Sequence, residues 1–261
     1  MRPLRRCASA GKSRRLRADC GKAQWIALSG RQGTALRTCG GSGDNAAMPS
    51  RTPLVTRALL IANALVFLLQ MLLGDAAPPY PLTVPFALWP LGPSPYSDVP
   101  GFELWQLVTY GFLHGSVPHI AFNMLALWMF GGPIEELLGT RPFLLYYFTS
   151  VVGAALTQLL VMHLFPQGYF PTLGASGGVF GLLLAYGMMY PHARMLVYFA
   201  IPMPAWLVVT LYGVLELFLG VTGKQPGVAH FAHLGGLAFG FVLLQYWRGR
   251  LPWKPRRILM R

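Results

Sequence analysis

A serine flanked by small residues, in Gly174-Ala175-Ser176-Gly177, opens one apolar stretch of this chain, and a histidine, His233 of Ala232-His233-Leu234-Gly235-Gly236, lies inside a later one. A hydroxyl and an imidazole are what nucleophilic catalysis needs, because the ring takes the hydroxyl proton as the oxygen attacks. His119 and Asn123 stand four apart on another apolar stretch and so share one helical face. As uncharged hydrogen-bond donors they suit an oxyanion hole, which aims donors where negative charge develops. They suit equally a polar pair that holds helices together. Glu135, Glu136 and Glu216 are the carboxylates near these stretches, and none is obviously placed to orient His233. The residues therefore spell a Ser–His dyad without a third member.

Other chemistry is poorly supplied. The three cysteines, Cys7, Cys20 and Cys39, all precede the apolar stretches. Their spacing fits no zinc pattern, and the core depends on no disulfide. His230 and His233, three apart, could join His119 around a metal, but there is no His-Glu-x-x-His and no cysteine or carboxylate on the same segment, so no metal is expected. His230 and His114 read as structural histidines satisfied by backbone groups.

The elements that must position these residues are membrane spans. The 261 residues are 54% hydrophobic and 11% charged, with a mean hydropathy of +0.47; soluble domains carry about a quarter charged residues. Six apolar segments are expected at 54–73, 118–134, 142–164, 176–190, 196–219 and 228–247. The net charge of +13 is not a nucleic-acid footprint, because 10 of 21 basic residues lie before position 48 and six lie between Arg248 and Arg261. Arg51, Arg57, Arg141, Arg194 and that C-terminal cluster all fall on one side if six spans alternate, which places both ends in the cytoplasm; Lys224 alone falls opposite. No internal repeat supports a transporter built from inverted halves.

Residues 1–47 are basic and read as a disordered cytoplasmic tail or an Arg-rich targeting segment, or else translation begins at Met48-Pro49-Ser50-Arg51, which is the favoured reading. Residues 48–261 form the membrane domain, with a short basic tail from 248. The connection from Gly74 to about Pro118, rich in proline and aromatics, is expected outside and in the interfacial region.

A segment of about 15 residues after Ser176 makes a helix of about 22 Å, shorter than the roughly 30 Å hydrocarbon core. Starting below the outer surface, it recesses Ser176, and its free backbone N–H groups face a developing oxyanion. His233, six residues from Gly227, sits at a depth of roughly 9 Å. Gly177-x-x-x-Gly181 and Gly236-x-x-x-Gly240 let two backbones approach closely. Without His233, the Gly-Ala-Ser-Gly run reads first as a small-residue packing motif.

The constellation resembles the rhomboid family of intramembrane serine proteases. The likeness covers residues 54–247 and rests on His119-x-x-x-Asn123, Gly174-Ala175-Ser176-Gly177, Ala232-His233-Leu234-Gly235-Gly236 and Gly131-Gly132-Pro133-Ile134-Glu135 with Gly139. It implies an all-α membrane protein, a six-transmembrane-helix bundle with both termini inside and a long membrane-associated loop between helices 1 and 2. It implies Ser176 as nucleophile and His233 as general base, then acid. The oxyanion would be bound by the Ser176 N–H, His119 and Asn123, with Gly174, Gly177, Phe180 and Gly236 in support. Span five and its preceding outer loop would form the substrate gate. The expected partners are transmembrane protein substrates and the lipid bilayer, with no nucleic acid and no metal or organic cofactor. The six-span form looks most like a bacterial inner-membrane member opening to the periplasm. The family's Trp-Arg pair is here Trp105-Gln106, so the arginine that braces the first loop is missing, and the aromatic after the serine is Phe180 rather than tyrosine. The competing class is a catalytically silent, client-binding relative, with a transporter more distant.

Overall fold

The computed structural model describes residues 24–27 and 51–260, apart from positions 79, 96, 98, 100, 166–167, 198–199, 225–227, 254 and 256. Strand β1 (Gln24–Ala27) pairs antiparallel with β4 (Arg257–Met260). Beyond those four residues, the basic tail and the proposed start at Met48 lie outside the described residues. A helical bundle makes up most of the rest. It consists of α1 (Leu54–Leu72), α4 (Val117–Leu138), α5 (Thr140–Leu164), α6 (Ser176–Met189), α7 (Ala205–Thr222) and α8 (His230–Trp247), with two short helices, α2 (Thr83–Phe86) and α3 (Gln106–Thr109), in the first loop.

Of the described helices, α1, α4, α5 and α7 are long and apolar enough to cross a membrane. The other two carry the serine and the histidine: α6 is only 14 residues, and α8 holds both His230 and His233. Large apolar side chains on α1 and α7 are exposed, among them Leu65, Leu72, Val214 and Val221. Outward apolar faces of this kind are what a lipid solvent demands.

Local chemistry explains the helix ends. Ser116 caps α4 by accepting the His119 N–H, with proline in the first turn, where a missing N–H costs nothing. Gly139, at φ +83, ends α4 and admits the turn into α5. At the start of α1 the free N–H groups of Val55 and Thr56, with the Thr56 hydroxyl, donate to the carboxylate of Glu135, which is buried on α4.

One expected span moves. The fifth segment was read as 196–219, but the chain first forms a hairpin of β2 (Arg194–Val197) and β3 (Ile201–Pro204), and α7 begins at Ala205. Pro202 and Pro204 are the cause. Proline inside a helix removes a hydrogen bond and clashes with the preceding turn, whereas Pro204 just before the first turn is unstrained.

The first loop is held by a few buried polar groups. Asp75 accepts from the Leu82 and Thr83 N–H groups, the Thr83 hydroxyl and Gln70 Nε2, while Gln70 Oε1 accepts the His114 N–H. Gln106 is fully buried and braces the loop through its amide: its Oε1 accepts the Trp89 N–H, and its Nε2 donates to the Gly101 carbonyl. Leu88 and Thr172 exchange backbone hydrogen bonds of 2.9 and 2.8 Å, which ties this loop to the segment before Ser176.

Burial of Asp75 raises its pKa, but the hydrogen bonds from Gln70, Thr83 and Leu82 together outweigh it and hold the carboxyl below the usual range. Its contribution is therefore present above the unfolded carboxylate pKa of about 3.9 and lost as pH falls through the lower folded value. Asp75→Asn should lower thermal stability at pH 7, and melting curves of the two proteins should converge as pH falls below about 4.

Candidate active site

Three helices converge where the serine and histidine meet. α5 packs most extensively against α8, and α6 lies against both. A Cβ on Gly236 would fall onto the Gly177 carbonyl oxygen, so only glycine at 236 permits the observed separation of α6 and α8, while one on Gly177 would fall onto Ala154, so glycine there permits the close approach of α6 to α5. The second glycines of the two patterns meet α5 side chains instead: Gly181 faces Ser150, and Gly240 faces the Tyr146 hydroxyl. That hydroxyl donates to the Gly181 carbonyl at 2.7 Å.

The result is a short contact between residues far apart in sequence. Ser176, the first residue of α6, has Oγ 2.8 Å from His233 Nε2. Phe180, one turn along α6, stacks on the His233 imidazole with centroids 4.3 Å apart and planes 7° from parallel. The ring needs no hydroxyl for this, so the tyrosine-to-phenylalanine departure leaves the packing intact.

On the other side of Ser176 stands His119. Its Nδ1 accepts the Gly115 N–H over a long 3.4 Å, which leaves the proton on Nε2. Gly174 has φ +127, and a Cβ there would lie 2.7 Å from His119 Nε2 and 3.7 Å from Ser176 Oγ. The space above Gly174 is thus flanked by a ring N–H and the serine oxygen. The Gly174 N–H is anchored to the Tyr110 carbonyl at 2.9 Å, and the Tyr110 hydroxyl donates to the Val151 carbonyl of α5. Asn123 is buried one turn beyond His119 and makes no side-chain hydrogen bond among the described residues, so its amide is uncommitted.

An acidic neighbour of His233 escaped sequence reasoning. Glu216 Oε2 lies 2.9 Å from His233 Nδ1 and 2.6 Å from His230 Nδ1. The His230 contact is a hydrogen bond, so His230 is satisfied by a carboxylate rather than the expected backbone group. The His233 contact is short but out of line for a hydrogen bond. The only signal in the sequence was a single acid within the apolar run of α7. These three residues are also the ones that could hold a metal, with donor atoms within 4.8 Å of one another. Zinc at about 2.0–2.1 Å from each tetrahedral donor would hold the donors about 3.3 Å apart. The observed 2.6 and 2.9 Å are shorter than two ligands of one zinc ion would stand.

A family model described as the Rhomboid domain matches residues 101–249, which include every residue of this constellation. The chain belongs to the rhomboid family. Rhomboid protease GlpG of Serratia proteamaculans (strain 568) is 29% identical to it over 207 residues, 75% of this chain and 63% of that protein. Rhomboid protein 1, mitochondrial, of Saccharomyces cerevisiae is 34% identical over 137 residues, 52% of this chain and 39% of the relative. RHOMBOID-like protein 4 of Arabidopsis thaliana is 37% identical over 147 residues, 56% and 34% of the two chains. This rhomboid therefore spans between about a third and two thirds of the length of these relatives. It is an integral, multi-pass helical membrane protein.

Gly236→Ala should destabilise this rhomboid by about 1–3 kcal/mol through overpacking, read as a lower melting temperature in detergent, because the atom in the way is backbone. His114 gives a pH signature. Burial, and the neighbouring His119 with ring centroids 5.0 Å away, push its imidazole down to about 4. The native state therefore holds His114 neutral, and its contribution is intact above the unfolded pKa of about 6.5 and lost as pH falls toward 4. Melting temperature should drop across that window in the wild type and less steeply in His114→Gln.

Proposed function

We propose that this rhomboid is an intramembrane serine endopeptidase that hydrolyses peptide bonds in or near the transmembrane segments of other membrane proteins. The observation that carries the reading is the 2.8 Å contact between Ser176 Oγ and His233 Nε2 beside the glycine-lined space at Gly174. Ser176 Oγ attacks the scissile carbonyl carbon and its proton passes to His233 Nε2. The tetrahedral oxyanion lies above Gly174, where the Ser176 backbone N–H, His119 Nε2–H and the uncommitted Asn123 amide supply donors. His233 then protonates the departing amine, and water, deprotonated by the same ring, releases the acyl-enzyme. Gly177 and Gly236 set the helix separation that the proton transfer needs, and Phe180 fixes the imidazole plane.

The mechanism draws on no metal or organic cofactor. Its partners are transmembrane substrates and the lipid bilayer. The basic residues before α1, after α8 and at Arg141 and Arg194 support both ends in the cytoplasm, and the six-span form and the likeness to Rhomboid protease GlpG support a bacterial inner membrane with the site open to the periplasm.

The test is cleavage of a single-span reporter protein in proteoliposomes, paired with labelling by a fluorophosphonate. Ser176→Ala and His233→Ala should each abolish cleavage and labelling while the melting temperature is kept. His119→Ala and Asn123→Ala should each lower kcat by about 10²–10³-fold with little change in KM, since their bonds strengthen only in the transition state. Cleavage that survives Ser176→Ala would overturn the proposal, as would folded wild type that neither labels nor cleaves; the latter outcome is that of a silent, client-binding relative.

A further inference from the structure

We infer that Glu216 is a positioning residue for His233, setting its tautomer and ring orientation from α7, with His230 as the strut that holds the carboxylate in place. The inference rests on the protease reading given above and adds a third side chain to what the sequence spells as a dyad.

Glu216 is 8% exposed, and it is the one charged side chain of α7. A carboxylate in such a segment is costly and persists where partners hold it. Its partners here are two imidazoles from α8, each presenting Nδ1 to the same oxygen, Oε2. His230 makes the in-line bond at 2.6 Å, and its Nε2 is buried with no partner of its own. Neutral imidazole carries one N–H. The proton of His230 therefore sits on Nδ1, and the ring's one polar bond is to Glu216. The His230 ring is also edge-on to that of His233, with centroids 6.3 Å apart. That arrangement fits a strut rather than a reacting group.

The consequence for His233 follows from its two nitrogens. A base must offer a lone pair to Ser176 Oγ, so the proton has to reside on Nδ1. The carboxylate 2.9 Å from Nδ1 favours that tautomer through its charge, even though the contact is not yet in line. Catalytic hydrogen bonds are often poorly aligned before substrate binds. The opposite tautomer would turn an N–H toward the serine and leave no base. The ring is thus approached at Nε2 by Ser176, at Nδ1 by Glu216 and over its face by Phe180. Phe180 in turn meets Tyr212, one turn before Glu216 on α7, edge-on at 6.4 Å, so a single helix backs both constraints.

The test compares wild type with Glu216→Gln and Glu216→Asp. Melting temperature in detergent establishes folding, steady-state cleavage of the single-span reporter gives kcat and KM, and nitrogen NMR of histidine-labelled protein reads the tautomer of His233. The amide keeps size but loses the charge, and its NH2 can turn toward Nδ1. Glu216→Gln should therefore lower kcat by about 10²-fold or more at nearly constant KM, within the roughly 10⁴-fold seen when a triad carboxylate becomes an amide. It should also reduce the Nδ1–H signal of His233. Glu216→Asp, which keeps the charge one methylene back, should restore part of both. Unchanged kcat in folded Glu216→Gln overturns the inference. So does a wild-type His233 protonated on Nε2, or a loss of activity that merely follows the loss of folded protein. If wild type neither cleaves nor labels, the protease reading falls, while the tautomer measured by NMR still decides the role of Glu216.

Discussion

The approach of Gly177 on α6 to Gly236 on α8 is the contact from which the rest of the site follows. In lipid, helices gain little from burying apolar surface against one another, so close packing and a few polar contacts must hold them. The absent side chain of Gly236 lets its backbone meet that of Gly177, whose own absent side chain admits Ala154 of α5. Because Ser176 precedes Gly177 by one residue and His233 precedes Gly236 by three, bringing the glycines together carries the reacting groups to within 2.8 Å. α5 sets the depth of this arrangement through Tyr146, Ser150 and Ala154, which fill the space beside the remaining small residues. A separation widened by one methyl group would leave the hydroxyl and the imidazole out of direct hydrogen-bond reach.

The first loop contributes from the opposite side. Gln70, Asp75 and Gln106 are side chains that a soluble protein would leave in water, yet here they satisfy loop backbone groups where solvent is scarce. Their order follows from the cost of an unpaired buried N–H or carbonyl. Through the Leu88–Thr172 bridge and the Tyr110 carbonyl, the loop fixes the segment that ends at Gly174. The segment leading into Ser176 is therefore placed by a part of the chain some 60 or more residues earlier. The open positive φ of Gly174 and the orientation of His119 are set together.

Much of this was legible because it is local. Ser116 and Pro118 announce the start of α4, and the four-residue spacing of His119 and Asn123 places both on one face before any fold is known. The glycine patterns foretold which helices meet, though not that Gly181 and Gly240 would receive Ser150 and Tyr146 from a third. What stayed hidden depends on rotation and path. Glu216 and His233 are separated by the end of α7 and a loop, and nothing in an apolar run says which way its one acid points. The start of α7 was misplaced because Leu196, Val197 and Ile201 extend the apolar run, while Pro202 and Pro204 already marked a chain that could not yet be helical. Gln106 was read as a lost arginine, since a motif records residue type and not the two backbone groups that type must satisfy.

That glutamine has a consequence of its own. Its two bonds, to the Trp89 N–H and the Gly101 carbonyl, join neutral groups in a fully enclosed setting. A guanidinium brace draws strength from charge and so feels the surrounding electrolyte. An amide brace has no such term, nor any proton to gain or lose. The loop of this rhomboid is consequently clamped by a fastening indifferent to ionic strength.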